Sequence, residues 1–171
     1  MHRLVERPYL APLAVVAVSL AALGTAFASE IWGGLEPCVL CIYQRYVYGA
    51  AIAVGLVTAG LVTGGLIRWR ALGRLGMALA ALVFLAGAGT AFFHVGVEQL
   101  WWQGTAACHG PVFDPELSLE ALAEAMMNTR FVPCDQIPWS LFGISMAGYN
   151  VLASLGLAAA SLWAAWRTGT P

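Results

Sequence analysis

The sequence predicts an all-α integral membrane protein, a bundle of four transmembrane helices with a long loop that carries a short amphipathic helix. Three observations predict this class. Hydrophobic residues make up 60% of the 171 residues and charged residues only 10%, whereas soluble domains are about half apolar and a quarter charged. Four apolar segments are each near the roughly 20 residues that cross a bilayer. All eight basic residues are arginine, and most of them flank these segments.

The four apolar segments are predicted to be helices because lipid offers no hydrogen-bond partner to an open backbone. Ala26 and Ala28 form an A-x-A pattern that a signal peptidase could accept, but the apolar run is longer than a signal core, so we expect the first segment to be retained. Gly60, Gly64, Gly87 and Gly89 predict close helix packing. One membrane domain of residues 1–171 is expected, with spans at about 10–29, 42–67, 75–97 and 139–166.

The arginines predict the orientation of the chain. Six of the eight lie on one side of the predicted spans, and the positive-inside rule places that side, with both termini, in the cytoplasm. Loops at about 30–41 and 98–138, called here the first and second loops, then face outward. No basic stripe suggests nucleic acid as a partner. The six arginines are Arg3, Arg7, Arg68, Arg70, Arg74 and Arg167; Arg45 and Arg130 are the other two.

The second loop contains "FDPELSLEALAEAMMN", which predicts a short amphipathic helix. Asp114 with Pro115 could cap it, or Ser118 could cap a shorter version. We expect this helix to lie on the bundle or the membrane surface, and docking of a partner is the alternative. Leu119, Leu122, Ala123 and Met126 share its apolar face, and Glu116, Glu120 and Glu124 its acidic face.

All four cysteines fall in the two predicted outer loops. Cys38 and Cys41 belong to the first loop, and Cys108 and Cys134 belong to the second. An even number on the oxidising side of a membrane predicts disulfides. Loop membership favours the pairs Cys38–Cys41 and Cys108–Cys134, and the two pairings that would join the loops stay open.

The stretch "EPCVLCIYQRY" at residues 36–46 predicts a reactive thiol pair. A Cys38–Cys41 disulfide closes almost no loop and would stabilise the fold little, so we expect its role to be chemical. A helix N-terminus favours thiolate. Arg45 follows Cys41 by one turn on the same face and could stabilise a thiolate or a negatively charged acceptor. His94 lies at a similar depth near the end of the third span and could line the same pocket.

Two other interpretations of the cysteines are weighed against this one. A Cys-x-x-Cys pair can be half of a zinc site, but Cys108 and Cys134, with His94 and His109, are poorly spaced for the other half, so no metal is expected. A non-catalytic four-helix scaffold would explain a disulfide in the second loop. That scaffold leaves "CVLC" and Arg45 without a purpose.

The motifs resemble those of the bacterial disulfide bond formation protein B (DsbB) family over nearly the whole chain. The resemblance rests on "PCVLCIYQR" at the second span, "FFHVGVEQLWW" after the third, and "VPCDQIPWSLFGISMAGYN" before the fourth. The "CDQIPWSLFG" ending is similar to the alphaproteobacterial branch. The resemblance implies a thiol:quinone oxidoreductase of the bacterial inner membrane. Its implied partners are a DsbA-like periplasmic oxidase of thioredoxin fold, the membrane quinone pool and the lipid bilayer.

The resemblance also implies a role for each candidate residue. Cys108 would form the mixed disulfide with the partner, and electrons would pass from Cys108–Cys134 to the first pair. Cys41 would be the thiolate that meets the quinone, with Cys38 resolving it. Ubiquinone is the implied acceptor in air, and menaquinone otherwise. Arg45 matches the quinone-site arginine of the family, and His94 lies where the family often has a histidine.

Overall fold

The computed structural model describes residues 8–64, 69–110, 118–128 and 131–169. Within these residues four helices are long and apolar enough to cross a membrane. This confirms an integral membrane protein with four spanning helices. The elements in chain order are α1 (Leu10–Ile31), α2 (Val39–Thr63), α3 (Trp69–Glu98), a 3-10 turn (Ala106–Cys108), α4 (Leu119–Asn128), β1 (Ser140–Leu141), β2 (Ile144–Ser145) and α5 (Met146–Gly169).

Helix α2 begins earlier than the apolar run predicts. It starts at Val39 instead of residue 42, with Cys38 as the N-cap, so Cys41 lies in the first helical turn. Helix α3 likewise starts at Trp69 instead of residue 75. The hydrophobic run marks only the part of a helix that sits in hydrocarbon, while helical hydrogen bonds continue through the flanking residues.

The predicted start of the fourth span, Trp139, is wrong. Strands β1 and β2 form a small antiparallel hairpin there, and α5 begins at Met146. The two turn residues, Phe142 and Gly143, have φ values of 51° and 78°. A two-residue hairpin of this kind needs positive φ at both positions, which glycine supplies without strain. Because the hairpin residues are mostly apolar, the sequence pattern did not show that α5 begins only after them.

The bundle core is built mainly from small residues and two aromatic rings, those of Tyr48 and Phe84. Phe84 on α3 is fully buried among alanines, and α3 packs along both α2 and α5 while α1 packs on α2. Gly87 is in a close contact, because a Cβ there would lie 2.8 Å from Val47 Cγ1. Gly60 and Gly89 face open space, so the prediction of close packing holds for Gly87 and is wrong for these two. Large leucines are exposed on every long helix, as a bilayer protein requires.

Helix α4 in the second loop confirms a short helix at the predicted place. It begins at Leu119, directly after Ser118, as in the shorter of the two predicted versions. Asp114 and Pro115 lie outside the described residues. Leu119 and Ala123, two members of the predicted apolar face, are exposed, so neither side chain is buried on the bundle. The membrane surface and a docked partner both stay possible uses of this face.

Candidate active site

The first pair of cysteines is held at the N-terminus of α2. Cys38 is the N-cap, and its Sγ accepts the backbone N–H of Cys41 at 3.4 Å. The two sulfur atoms are 3.2 Å apart and both cysteines are free. The pair is therefore a dithiol at hydrogen-bond distance, which differs from the predicted Cys38–Cys41 disulfide. A disulfide at this place needs only a short approach of the two sulfurs.

The surroundings of Cys38 favour its thiolate form in the dithiol state. Its pKa is lowered from 9.0 to about 4, first by the hydrogen bond from the Cys41 thiol and next by His94, against an opposing effect of burial. A helix N-terminus adds to this, because its unpaired N–H groups favour an anion. The expectation that Cys41 is the thiolate concerns the step at which the pair meets an acceptor, and it stays a prediction. Sequence spacing could not separate the N-cap sulfur from the one a turn later.

His94 links this pair to the interior of the bundle. It is 3% exposed, and its Nε2 lies 3.5 Å from Cys38 Sγ. Its Nδ1 lies 2.9 Å from Nε2 of Gln44, which is also buried. The predicted site residue His94 is thus in contact with the first pair. Gln44 was missed, although a glutamine inside an apolar span was a usable signal because polar groups in membrane helices need partners.

A buried carboxylate lies near the same ring nitrogen of His94 that faces Cys38. Glu98 Oε1 is 3.9 Å from His94 Nε2, and Glu98 is 8% exposed. The hydroxyl of Ser145 donates to Glu98 Oε2 at 2.5 Å and accepts the backbone N–H of Gly148 at 3.1 Å. Ser145 therefore caps α5 and holds the carboxylate at the same time. From the sequence, Glu98 was only one of several acidic residues near the second loop, because its serine partner is 47 residues away.

Arg45 has a different environment from the predicted one. Its Nη1 lies 2.6 Å from Glu30 Oε2, its Nη2 donates to the carbonyl of Ala26, and its guanidinium sits 4.7 Å from the Phe27 ring. Glu30 at the end of α1 neutralises this arginine, which the sequence did not reveal. In the described part of the chain, the polar contacts of Arg45 go to α1 and not to His94. The structure does not join these two residues in one contact.

The second pair is a buried disulfide. Cys108 and Cys134 are bonded, and they are 5% and 1% exposed. Cys38 belongs to the same buried cluster, together with Leu40 and Val97. The two cysteine pairs, from different loops, therefore share one buried cluster.

Two cavities reach this cluster from different directions. A cavity of about 600 Å³ is lined by Cys108 with Trp101, Trp102 and Phe131, and Cys134 is not part of its wall. A second cavity of about 310 Å³ is lined by Cys38 together with Glu30, Val39, Ile42, Ala107 and Val132. One cysteine of each pair thus lines a cavity, Cys108 in the second pair and Cys38 in the first, although Cys38 is buried and Cys41 is the more exposed cysteine of the first pair.

The first pair and His94 also satisfy the distance criterion for metal ligands. The sulfurs of Cys38 and Cys41 and a ring nitrogen of His94 all lie within 4.8 Å of one another. A histidine that binds metal donates its other ring N–H to an acceptor. The other nitrogen here faces the amide nitrogen of Gln44, which is a donor. The surroundings of His94 therefore favour a hydrogen bond to sulfur over a metal bond, and the expectation of no metal stays a prediction.

Comparison with known proteins gives one consistent family. The sequence profile described as "Disulfide bond formation protein DsbB" matches residues 8–164. A protein of Pseudomonas syringae named disulfide bond formation protein B 2 is 33% identical over 162 residues, which cover 91% of this chain and 84% of the relative. Disulfide bond formation protein B of Herminiimonas arsenicoxydans is 34% identical over 131 residues, covering 76% and 73%. No solved structure gives a significant match.

Proposed function

We propose, because the chain belongs to the DsbB family of disulfide bond formation membrane proteins, that it is a thiol:quinone oxidoreductase. In this proposal it reoxidises a DsbA-like dithiol oxidase of thioredoxin fold and passes the electrons to membrane quinone. The observation that carries the proposal is the shared cluster of the two cysteine pairs, in which Cys38 packs with Cys108 and Cys134. A relay between disulfides needs this proximity, because exchange occurs by direct attack of sulfur on sulfur.

The partner enters at Cys108 in this proposal. The cavity of about 600 Å³ beside Cys108 supports this, since Cys134 is 1% exposed and does not line the cavity. A partner thiolate attacks Cys108 Sγ, the Cys108–Cys134 bond breaks, and Cys134 leaves as a thiolate. A second partner thiol then displaces Cys108, so the partner becomes a disulfide and the second pair a dithiol.

Electrons next move to the first pair through Cys134 and Cys38. When the first pair is a disulfide, the Cys134 thiolate attacks Cys38 Sγ, and the Cys38–Cys41 bond breaks with Cys41 leaving as a thiolate. Cys108 then displaces Cys38 from Cys134, which restores the second disulfide and leaves Cys38 and Cys41 as the dithiol. Their packing in one cluster supports this order. The predicted Cys41 thiolate belongs to the step in which Cys38 is bound to Cys134, and the Cys38 thiolate belongs to the dithiol that follows.

The residues beside the first pair fit a lipid-soluble acceptor. Val39 and Ile42 give the cavity at Cys38 an apolar wall. Glu30 from α1 also lines this cavity, and Arg45 is paired with Glu30. Tyr46 is 68% exposed on the outer face of α2. A bound quinone, ubiquinone or menaquinone, supplies the sink for the two electrons and two protons of the dithiol. Arg45 would hold the acceptor and stabilise negative charge beside it.

The proposal places the protein in the bacterial inner membrane with both termini in the cytoplasm and the cysteines in the periplasm. Disulfide chemistry needs the oxidising side of the membrane. A reporter fused after Arg70 is expected to behave as cytoplasmic, and one inserted near Gly110 as periplasmic. The reverse pattern would remove the basis of the redox function, since cytosolic thiols are kept reduced.

The test of the function is a coupled assay with purified protein. Reduced DsbA-like oxidase as donor and ubiquinone as acceptor should give quinol and oxidised partner in equal amounts, and Cys38→Ser should abolish this. Gentle extraction of the purified protein should recover bound quinone. A preparation with no quinone and no partner oxidation would favour the alternative, a non-catalytic four-helix scaffold whose disulfide shapes the second loop.

A further inference from the structure

We propose that Gln44 and Asn150 are positioning residues that hold His94 in the one neutral tautomer whose Nε2–H donates to the Cys38 thiolate. The inference rests on the proposed function only in assigning the dithiol as a working state of the protein. It concerns three polar residues inside the bundle, of which His94 and Gln44 are buried and Asn150 is half-buried, and whose arrangement no step above requires. Polar side chains inside membrane helices are costly unless they are paired, and functional pairing is the usual reason for keeping them.

A chain of hydrogen bonds runs from the bundle core to the first cysteine pair. The hydroxyl of Tyr48 donates to Asn150 Oδ1 at 2.5 Å, and Asn150 Nδ2 donates to Gln44 Oε1 at 2.5 Å. Gln44 Nε2 then faces His94 Nδ1 at 2.9 Å, and His94 Nε2 faces Cys38 Sγ at 3.5 Å. The chain joins α2, α3 and α5, and every contact in it lies within hydrogen-bond distance.

The direction of this chain is set at its far end by two hydroxyl groups that donate to Asn150 Oδ1, those of Tyr48 and Ser154, so that either one is sufficient. A tyrosine hydroxyl donates to the carbonyl oxygen of Asn150, which leaves only the NH₂ group of Asn150 to point at Gln44. That NH₂ group needs an acceptor, so the oxygen of Gln44 faces it and the NH₂ group of Gln44 faces His94. The hydroxyl of Ser154 lies 3.4 Å from the same oxygen of Asn150 and supports this orientation.

The tautomer of His94 follows from that direction. Since Gln44 donates to Nδ1, this nitrogen must be the acceptor, and the proton of the neutral ring must be on Nε2. An Nε2–H group points at Cys38 Sγ and stabilises it as a thiolate, because a charged acceptor strengthens a hydrogen bond. The carboxylate of Glu98, at 3.9 Å from the same nitrogen, also favours a proton there. The backbone of Cys134 interacts with the ring as well.

The hydrogen-bond chain therefore makes His94 a donor to sulfur and not a general base toward it. A base would need an unprotonated Nε2, and the Gln44 amide opposes that form. Asn150 acts two bonds away from the sulfur and touches no reacting atom, so it is a positioning residue. Its expected effect is on the protonation of the ring and, through the ring, on the charge of Cys38.

The direct test is ¹⁵N NMR of histidine-labelled, detergent-solubilised, fully reduced full-length protein. The ¹⁵N shifts separate protonated from unprotonated ring nitrogens, and the chain has only three histidines, so a His94→Gln variant identifies the His94 signals. The wild type should show a protonated Nε2 and an unprotonated Nδ1. Asn150→Leu should populate the opposite tautomer, because it removes the donor that orients Gln44. Gln44→Leu is the second variant and should also lose the single tautomer.

Tyr48→Phe is the matched control. It removes one hydroxyl from the same chain but leaves the Asn150–Gln44–His94 bonds and the Ser154 contact, so the tautomer should stay as in the wild type.

A second readout is the pH dependence of Cys38 alkylation in a Cys108→Ser/Cys134→Ser background. Cys41, His94 and Glu98 face Cys38 and are unchanged in Asn150→Leu. In Asn150→Leu, the pH at which Cys38 alkylation reaches half of its maximal rate should rise by about one to two units, which is tenfold to a hundredfold in proton concentration.

Two results would overturn the inference. One is a wild-type His94 with its proton on Nδ1. The other is an Asn150→Leu protein, folded by its melting curve, that keeps both the wild-type tautomer and the wild-type alkylation profile. Both readouts use purified protein without quinone or partner. A failed quinone assay with the tautomer as described would count against the proposed function and leave this inference standing.

Discussion

The two cysteine pairs of this protein are held in opposite ways. Cys38 and Cys41 occupy the first turn of a long helix, three residues apart, with a histidine, a carboxylate and helix N–H groups around them. Cys108 and Cys134 are 26 residues apart and join two parts of the second loop. The first pair gains little from being bonded, and the second closes a long loop.

This difference separates two properties: the surroundings of the first pair favour a reactive thiolate, and those of the second pair favour access for another molecule. At the first pair, donors converge on one sulfur and stabilise its anion, which favours the dithiol and makes the pair a stronger oxidant. At the second pair, the disulfide is packed in an apolar cluster and one sulfur opens to a cavity. The first arrangement suits the uptake of electrons from the second pair, and the second suits attack by a partner.

The largest expected effect separates the two sulfurs of the second pair. Cys134→Ser should trap a covalent adduct between Cys108 and the oxidised form of the DsbA-like oxidase, because the Cys108 thiolate attacks the partner disulfide and no Cys134 is left to displace the partner. Non-reducing gels of the mixture should show the adduct as a new band. Cys108→Ser is the matched control and should give none, since Cys134 does not line the cavity. An adduct with Cys108→Ser alone would reverse the assignment.

The next effect concerns the first pair and its cation. Arg45→Met should leave partner exchange at Cys108–Cys134 intact but weaken quinone reduction about tenfold to a hundredfold, as expected for the loss of a charge-assisted contact of about 1.5–3 kcal/mol. Arg45→Lys should recover part of this because it keeps the charge but not the planar fork. The measurement is the rate of quinol formation with reduced partner.

Glu30→Gln distinguishes the two roles of Arg45. This variant removes the carboxylate at 2.6 Å but leaves the arginine in place. If Arg45 serves an acceptor, Glu30→Gln should reduce quinone at close to the wild-type rate or faster. If Arg45→Met and Glu30→Gln lose activity equally, the ion pair joining α1 to α2 is what matters, and the arginine has only a structural role.

A smaller effect is expected beside the second pair. A Cβ at Gly104 would lie 2.7 Å from Cys108 Cβ, so Gly104→Ala should displace the disulfide at a cost of about 1–3 kcal/mol in free energy of unfolding. Oxidation of the reduced partner should be several-fold slower, while alkylation of Cys38 in the dithiol should not change. Gly60→Ala is the control, because nothing lies within 4 Å of that position. Equal effects of the two variants would remove the argument from packing.

Much of this architecture follows from one-dimensional pattern. The four spans, the α4 helix and the loop that holds each cysteine are predictable because bilayer thickness and helical period leave few alternatives. The disulfide Cys108–Cys134 also agrees with loop membership. The hairpin before α5 was missed because its residues are as apolar as a span. Only the positive φ values of Phe142 and Gly143 show the turn, and they are not visible in the sequence.

The surroundings of the site were not predictable in the same way. Glu30 pairs with Arg45 across two helices, and Ser145 reaches Glu98 from the end of the second loop. Such pairs depend on how helices rotate against one another, which neither spacing nor composition states. The choice of Cys38 as the charged sulfur required the N-cap geometry, and that depended on a helix start three residues earlier than the apolar run indicated.

The most direct test of the contrast between the pairs is the pH dependence of alkylation in the fully reduced protein, with the modified cysteine identified by peptide mass spectrometry. The pKa of Cys38 is lowered from 9.0 to about 4, so this thiol is ionised throughout the neutral range and protonates only as the pH falls toward 4. Iodoacetamide should modify Cys38 before Cys41, at a rate constant that is flat from about pH 6 to pH 8. Modification of Cys41 first, or a Cys38 rate that rises tenfold per pH unit toward pH 9, would contradict the account.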